Sequence, residues 1–197
     1  MSLGLAIEIL AVGFSIVAVS LQVRQHPWGW PLTLVGVSAY AWIFFGLKLY
    51  ADMGLQVVFF SQGVYGWYFW LHGGRDHTEA PVRRLTPVVR MATVAAIGAG
   101  TLALGFGLSR WTDAALPWMD SFLSVTSLTA NFLLARKVLE NWMLWIFADV
   151  LYIGVFINRE VYLTAGLYVV FLGLASAGLV QWLRAERQSA STAGVPA

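Results

Sequence analysis

Long apolar runs alternate with short polar segments along the chain. A bilayer core about 30 Å thick needs roughly 20 apolar residues in a helix, and seven runs approach that length. Charged residues fall mostly between the runs and not along one face of amphipathic elements, as a soluble core would require. The pattern predicts an all-α integral membrane protein with seven transmembrane helices, at residues 3–23, 30–47, 54–71, 91–108, 117–135, 142–157 and 161–183.

Composition narrows the classes of function. Of 197 residues, 59% are hydrophobic and 11% are charged, against roughly 25% charged in an average soluble domain. A lipid bilayer is therefore the expected surrounding, and we expect no nucleic-acid partner. The chain has no cysteine, which excludes disulfides, thiolate metal sites and a cysteine nucleophile.

Basic residues predict the orientation, because segments on the cytoplasmic side of a membrane carry an excess of Lys and Arg. With the N-terminus outside, the inner segments hold nine of these residues and the outer loops hold three, namely Lys48, Arg110 and Arg159. We therefore expect an inner-membrane protein with its N-terminus outside and its C-terminus in the cytoplasm.

An internal repeat appears when the chain is aligned with itself at an offset of 112 residues. The offset pairs identical large residues, which shared apolar composition alone does not explain, and it also places Glu8 over Asp120 and Ser15 over Ser127. The identical pairs include Trp30 with Trp142, Tyr40 with Tyr152, Phe44 with Phe156, Gly54 with Gly166, and Trp70 with Trp182. Helices one to three thus correspond to helices five to seven.

Two matching three-helix units inserted in the same direction need an odd number of spans between them, and helix four supplies it. We therefore expect a 3+1+3 parallel repeat, a transporter architecture with its substrate near the midplane between the halves. The expected domains are a first repeat at residues 1–71, a cytoplasmic loop with helix four and an outer loop at 72–116, a second repeat at 117–184, and a disordered cytoplasmic tail at 185–197.

Polar side chains inside a bilayer are costly and mark candidate functional sites. Trp142, Trp145 and Asp149 fall at i, i+3 and i+7, which is one stripe of a helix. Two indoles and a carboxylate on one face suit a flat cationic ring, which stacks on Trp and is neutralised by Asp. The alternatives are an interfacial belt role for Trp142 and a structural ion pair for Asp149.

Four further residues are candidates for a substrate site. Gln56 and Tyr168 occupy equivalent places in helices three and seven, so a cavity on the repeat axis would meet both. Their uncharged groups suit hydrogen bonds to a sugar or an amide, although a simple interhelical hydrogen bond is an equal alternative. Asn131 is the favoured polar residue of helix five, and Trp67 lies deep enough to line a cavity.

The sequence predicts no enzyme. His26, His72 and His77 lack metal-ligand spacing, and no nucleophile elbow or phosphate-binding glycine loop is present. We therefore expect no catalytic residue, no metal and no cofactor. A retinal photoreceptor needs a lysine in its last helix, but Lys48 and Lys137 both lie in predicted loops.

Two segments carry a family resemblance. LYADMGLQVVFFSQGVYGWYFW at residues 49–70 and RKVLENWMLWIFADV at 136–150 resemble the PnuC family of vitamin transporters, best known for nicotinamide riboside uptake. The resemblance covers nearly all of the membrane region. It implies a fold related to SWEET sugar transporters, a homotrimer, and facilitated diffusion made one-way by phosphorylation inside the cell, as a step towards NAD biosynthesis.

The resemblance also carries site residues. The two stacking tryptophans of the family fall on Trp142 and Trp145, and Gln56, Trp67 and Tyr168 match family positions. Asp149 stands where the family pattern has Asn. Because a carboxylate favours a cationic ring, we expect a small-molecule substrate, with nicotinamide riboside first and thiamine as the alternative, while riboflavin carries no such charge. A non-transporting membrane sensor or assembly protein is the alternative from another class.

Overall fold

The computed structural model describes residues 3–46, 48, 50–74 and 77–193, with side chains described for residues 10–46, 48, 53–74 and 77–188. Arg75, the side chain of Glu8 and residues 194–197 therefore lie outside the described part. The described residues form seven α-helices: α1 Leu3–Val23, α2 Gly29–Gly46, α3 Tyr50–His72, α4 Pro87–Trp111, α5 Pro117–Ala135, α6 Asn141–Asn158 and α7 Tyr162–Ala193. The prediction of an all-α protein is confirmed.

Helix boundaries differ from the predicted spans where polar residues extend a helix beyond its apolar run. Helix α4 begins at Pro87, where the Thr86 side chain accepts a 3.4 Å hydrogen bond from the Val89 N–H as an N-cap. Helix α7 continues to Ala193. The expected disordered tail is therefore helical at residues 185–193, because Ala, Glu, Arg and Gln in this stretch are strong helix formers.

Several helices are suited to a membrane. By length and apolar composition, the described residues include four candidate spans, at Gly29–Gly46, Pro87–Trp111, Asn141–Asn158 and Tyr162–Gln188, and a shorter apolar stretch at Leu10–Val23. Helices α3 and α5 are long enough but less apolar, because α5 carries Ser, Thr and Asn and α3 is rich in Tyr, Trp and Gly. Apolarity alone therefore identifies fewer spans than the sequence pattern predicts.

The chain divides into two compact units, and the first comprises Met1–Val82, Ala135–Lys137 and Ala177–Ala197. In it α1 packs on α2, and α2 packs on α3. The core holds three fully buried tryptophans. Trp30 meets Trp70 edge to face at 5.5 Å between centroids, and Trp70 meets Trp182 at 5.8 Å. The Trp182 indole N–H donates to the carbonyls of Val23 and Gln22, at 3.1 and 3.3 Å.

Lys137 belongs to the same core although it lies in the loop before α6. Its side chain is buried, with Nζ 4.9 Å from the centre of the Trp70 ring, and its backbone adopts a left-handed φ of 50°. Burial lowers the pKa of Lys137, and the nearby Glu79 carboxylate partly raises it again. The sequence had suggested only an ordinary loop lysine.

The second unit comprises Arg83–Leu134 and Val138–Ser176. Near the start of α6, the Leu139 N–H donates to the Arg83 carbonyl at 2.9 Å. The buried Glu140 carboxylate accepts a 2.8 Å hydrogen bond from Arg90 Nη2 and a 3.1 Å bond from the Leu85 N–H. These contacts hold the segment before α4 against the first turn of α6, which carries Trp142.

Candidate functional site

The stripe predicted on α6 lies on a buried face of that helix. Trp142 is 1% exposed, Asp149 is 3% exposed, and Trp145 is half-buried. At about 100° of rotation per residue, the stripe continues to Tyr152, and the four residues span an arc of about 80°. Helix α6 therefore presents two indoles, a carboxylate and a phenol in one direction.

Asp149 lacks a counterion inside its unit. Among the residues that the structure describes, its carboxylate makes no salt bridge and no hydrogen bond. A buried carboxylate without a partner is costly and normally pairs with a cation or a set of donors. The structural ion pair considered as an alternative is therefore absent from the described part of the chain.

Tyr152 is a neighbour of Asp149 that sequence reasoning missed. It lies one turn after Asp149 on α6, close to the Ser127 hydroxyl of α5, and within electrostatic range of Asp120. Its ring stacks on Tyr168 with centroids 4.4 Å apart and planes 25° from parallel. The signal was present in the sequence, because Tyr152 follows Asp149 by three residues and continues the same helical stripe.

Tyr168 is part of an aromatic cluster on α6 and α7. Besides Tyr152, its ring contacts Phe156 at 5.4 Å and Phe171 at 6.1 Å. The structure therefore brings Tyr168 to the face of α6 that carries Asp149, through Tyr152.

Helix α5 contributes a polar stripe. Asp120, Ser127 and Asn131 fall at i, i+7 and i+11, within an arc of about 40°. Ser127 and Asn131 are each 6% exposed, and the Ser127 hydroxyl lies close to Tyr152 of α6. The stripe that includes Asn131 therefore faces α6. The second unit contains five of the predicted site residues, namely Asn131, Trp142, Trp145, Asp149 and Tyr168.

Gln56 and Trp67 belong to the first unit. Gln56 lies in a groove of about 480 Å³ between α2 and α3, whose other lining residues are almost all apolar, among them Val37, Trp42, Phe45, Met53 and Phe60. Trp67 is 39% exposed. A cavity shared by Gln56 and Tyr168 stays a prediction.

The charged side chains of the site helices α5 and α6 are all acidic. Helices α1, α2, α3, α5 and α6 contain no Lys or Arg, whereas α5 and α6 carry Asp120 and Asp149. Within the described residues, no group of three or more His, Asp or Glu side chains could hold a metal ion. The site can therefore stack a flat ring, balance a positive charge and form hydrogen bonds.

A family model for the nicotinamide mononucleotide transporter matches residues 5–184. The chain belongs to the nicotinamide mononucleotide transporter family. The family consists of membrane transporters, in agreement with the expectation that the chain is not an enzyme. The helices that are apolar enough to cross a bilayer make this transporter-family member a multi-pass membrane protein.

Individual relatives support the resemblance to the PnuC family. The transporter is 29% identical over 185 residues to the nicotinamide riboside transporter PnuC of Escherichia coli strain K12, covering 81% of this chain and 77% of that one. It is also 29% identical over 180 residues to the riboflavin/roseoflavin transporter RibM of Streptomyces davaonensis, covering 88% and 83%. The crystal structure of a vitamin B3 transporter PnuC matches with a TM-score of 0.73 and 25% identity, over 91% of this chain and 81% of that one.

Proposed function

We propose that the protein carries out facilitated uptake of a pyridine nucleoside, with nicotinamide riboside as the first choice, and that phosphorylation inside the cell traps the product for NAD biosynthesis. The observation that carries this proposal is the buried Asp149 carboxylate without a cationic partner, on the helix face that also bears Trp142 and Trp145. A cationic pyridine ring would supply the positive charge that pairs with Asp149.

Physical chemistry favours a cationic ring over a neutral one. The electron-rich face of an indole attracts a positive charge, and the attraction grows when water is excluded. An ionised Asp149 carboxylate adds a negative charge in a low-dielectric setting, where an unbalanced charge is expensive. A ligand with a permanent positive charge in its ring therefore balances this carboxylate.

The charge distribution favours a nucleoside over a nucleotide. A phosphate group needs Arg, Lys or a helix N-terminus as its partner. Helices α5 and α6 contain no basic residue, and Asp149 and Asp120 would repel an anion. The proposed substrate therefore has a sugar without phosphate, and we propose that Asn131 and Tyr168 hold it; Gln56 and Trp67, in the first unit, stay candidate substrate-binding residues.

The proposed architecture is a SWEET-like 3+1+3 parallel repeat of seven membrane spans. In its support, Tyr40 and Phe44 of α2 stack at 6.0 Å and 28°, and their equivalents Tyr152 and Phe156 of α6 stack at 6.1 Å and 16°. The proposal includes a homotrimer in the inner membrane, with the N-terminus outside and the C-terminus in the cytoplasm. A C-terminal reporter active only in the cytoplasm tests this orientation, and a silent reporter would reverse it.

Two other substrates fit part of this site chemistry. Thiamine also has a cationic ring and would meet the same indoles and carboxylate. Riboflavin is favoured by the similarity to RibM, but its ring carries no positive charge for Asp149 to balance.

The decisive experiment measures binding of nicotinamide riboside, thiamine and riboflavin to the purified protein and to its Asp149→Asn variant. Loss of one charge-assisted contact of about 1.5–3 kcal/mol predicts that Asp149→Asn weakens binding of the cationic substrate roughly 10-fold to 100-fold. The control is Asp113→Asn, at an exposed loop carboxylate, which should leave binding unchanged. Tight riboflavin binding that ignores Asp149→Asn would overturn the cationic-ring proposal.

Transport itself needs a separate measurement, because a membrane sensor or assembly protein could bind the same ligand without moving it. Uptake of labelled nicotinamide riboside into vesicles should scale with internal volume and collapse when the vesicles are shrunk osmotically. Saturable binding that is independent of internal volume would favour the non-transporting alternative.

A further inference from the structure

Hydroxyl groups on the helices of this protein usually bond to their own backbone. On α5, the Ser121 hydroxyl donates to the Pro117 carbonyl at 2.7 Å, and the Thr129 hydroxyl donates to the Val125 carbonyl at 2.8 Å. In an apolar helix, Ser and Thr hydroxyls ordinarily donate a hydrogen bond to the carbonyl of residue i−4. A hydroxyl bonded in this way no longer has its proton to donate to a ligand.

The Ser127 hydroxyl does not bond to its own helix backbone, although Ser127 is also buried. It is 6% exposed, and its hydroxyl has no hydrogen-bond partner within the described part of the chain. Thr126 shares this property, but it points about 100° away around the helix. A buried hydroxyl without a partner costs free energy, so its position calls for an explanation.

The repeat supplies a matched comparison. Ser15 occupies the equivalent place on α1, and its hydroxyl donates to the Ala11 carbonyl at 2.9 Å. The residue equivalent to Asp149 is the apolar Val37 on α2. The second repeat therefore has both the Asp149 carboxylate and the unbonded Ser127 hydroxyl, and the first repeat has neither feature.

The surroundings of Ser127 point to a polar ligand. Tyr152 lies one turn after Asp149 on α6 and close enough to Ser127 for the two hydroxyls to interact, but the Ser127 hydroxyl does not reach the geometry of a full hydrogen bond. A ligand hydroxyl between them could accept from one and donate to the other, because Ser and Tyr hydroxyls can each play either role.

We propose that Ser127 and Tyr152 form a hydroxyl-recognition subsite that reads the sugar of the substrate, next to the ring position set by Trp145 and Asp149. This inference rests on the proposed function, and it assigns sugar recognition to two residues of α5 and α6. A site built to bond a hydroxyl discriminates strongly against analogues that lack it, because its own polar groups are then left unpaired.

The test compares two ligands with the same cationic ring. Nicotinamide riboside carries the sugar, whereas 1-methylnicotinamide has a methyl group in its place. Ser127→Ala should weaken riboside binding roughly 5-fold to 20-fold and leave 1-methylnicotinamide binding within about 2-fold, as expected for loss of one hydrogen bond. Ser121→Ala, on the same helix with its hydroxyl bonded to the backbone, should change neither affinity.

Tyr152→Phe is the second variant, because it removes only the hydroxyl and keeps the ring that stacks on Tyr168. It should show the same selective loss of riboside affinity as Ser127→Ala. An equal loss for both ligands, or no loss in either variant, would overturn the subsite. Wild-type protein that binds neither ligand would instead overturn the proposed function, so the two failures are distinguishable.

Discussion

Trp70 and Trp182, which the 112-residue offset makes equivalent, pack ring against ring with centroids 5.8 Å apart. Both are fully buried, and Lys137 Nζ lies 4.9 Å from the Trp70 ring. Equivalent residues of two parallel repeats meet where the repeat axis passes between them, so this contact supports the proposed symmetry. It also joins α3, α7 and the loop before α6 in one core.

Trp182→Phe should destabilise this core. The variant removes the indole N–H that bonds to the carbonyls of Val23 and Gln22. The Gln22 carbonyl keeps its bond from the Gln25 N–H, but loss of the bond to the buried Val23 carbonyl costs about 1–3 kcal/mol. We expect a lower Tm in detergent than for wild type. Trp28→Phe, at an indole that is 63% exposed, is the control, and equal melting of the two variants would contradict the prediction.

Trp145→Ala should weaken binding of a cationic ligand without a comparable loss of stability. Trp145 is half-buried and has no aromatic partner among the described residues, so its ring is available for stacking. Loss of a desolvated cation–π contact of about 1–2 kcal/mol predicts roughly 5-fold to 30-fold lower affinity. Calorimetric titration checks this, with Trp145→Phe retaining part of the affinity and Trp111→Ala, at an exposed indole, retaining all of it.

Glu140→Ala should loosen the start of α6. The carboxylate satisfies both the Leu85 N–H and the Arg90 guanidinium, so its removal leaves a backbone donor without its partner, at about 1–3 kcal/mol. Arg90→Ala should cost less, because the Arg90 side chain is 55% exposed and solvent screens the pair. The order of the two melting temperatures is the measurement, and a larger loss for Arg90→Ala would refute it.

Lys137 should make stability rise at alkaline pH. Its folded-state pKa lies below the ordinary 10.5 because of burial, so between these two values the unfolded chain binds more protons than the folded one. Stability therefore increases with pH across that window. Lys137→Met should remove this contribution to the slope, whereas Lys48→Met, at an exposed lysine, should retain it. Identical pH profiles for wild type and Lys137→Met would contradict the prediction.

The sequence by itself determined the helical elements and the candidate ligand face on α6. A chain in lipid must satisfy its backbone groups within each spanning element, so apolar runs of sufficient length have few alternatives to helix. Helical spacing alone likewise places Trp142, Trp145 and Asp149 on one face. The apolar run predicted a start of α4 at residue 91, four residues after its start at Pro87, which Thr86 caps.

Only the tertiary structure decided which polar groups are satisfied. Ser121 and Ser127 have the same side chain on the same helix, and the neighbours of each, not its identity, determine whether the hydroxyl bonds to the backbone. The same holds for Lys137, a loop lysine that the core encloses, and for Tyr152, one aromatic residue among many until Asp149, Ser127 and Tyr168 surround it. Burial and pairing depend on residues distant in the chain, which local sequence pattern does not specify.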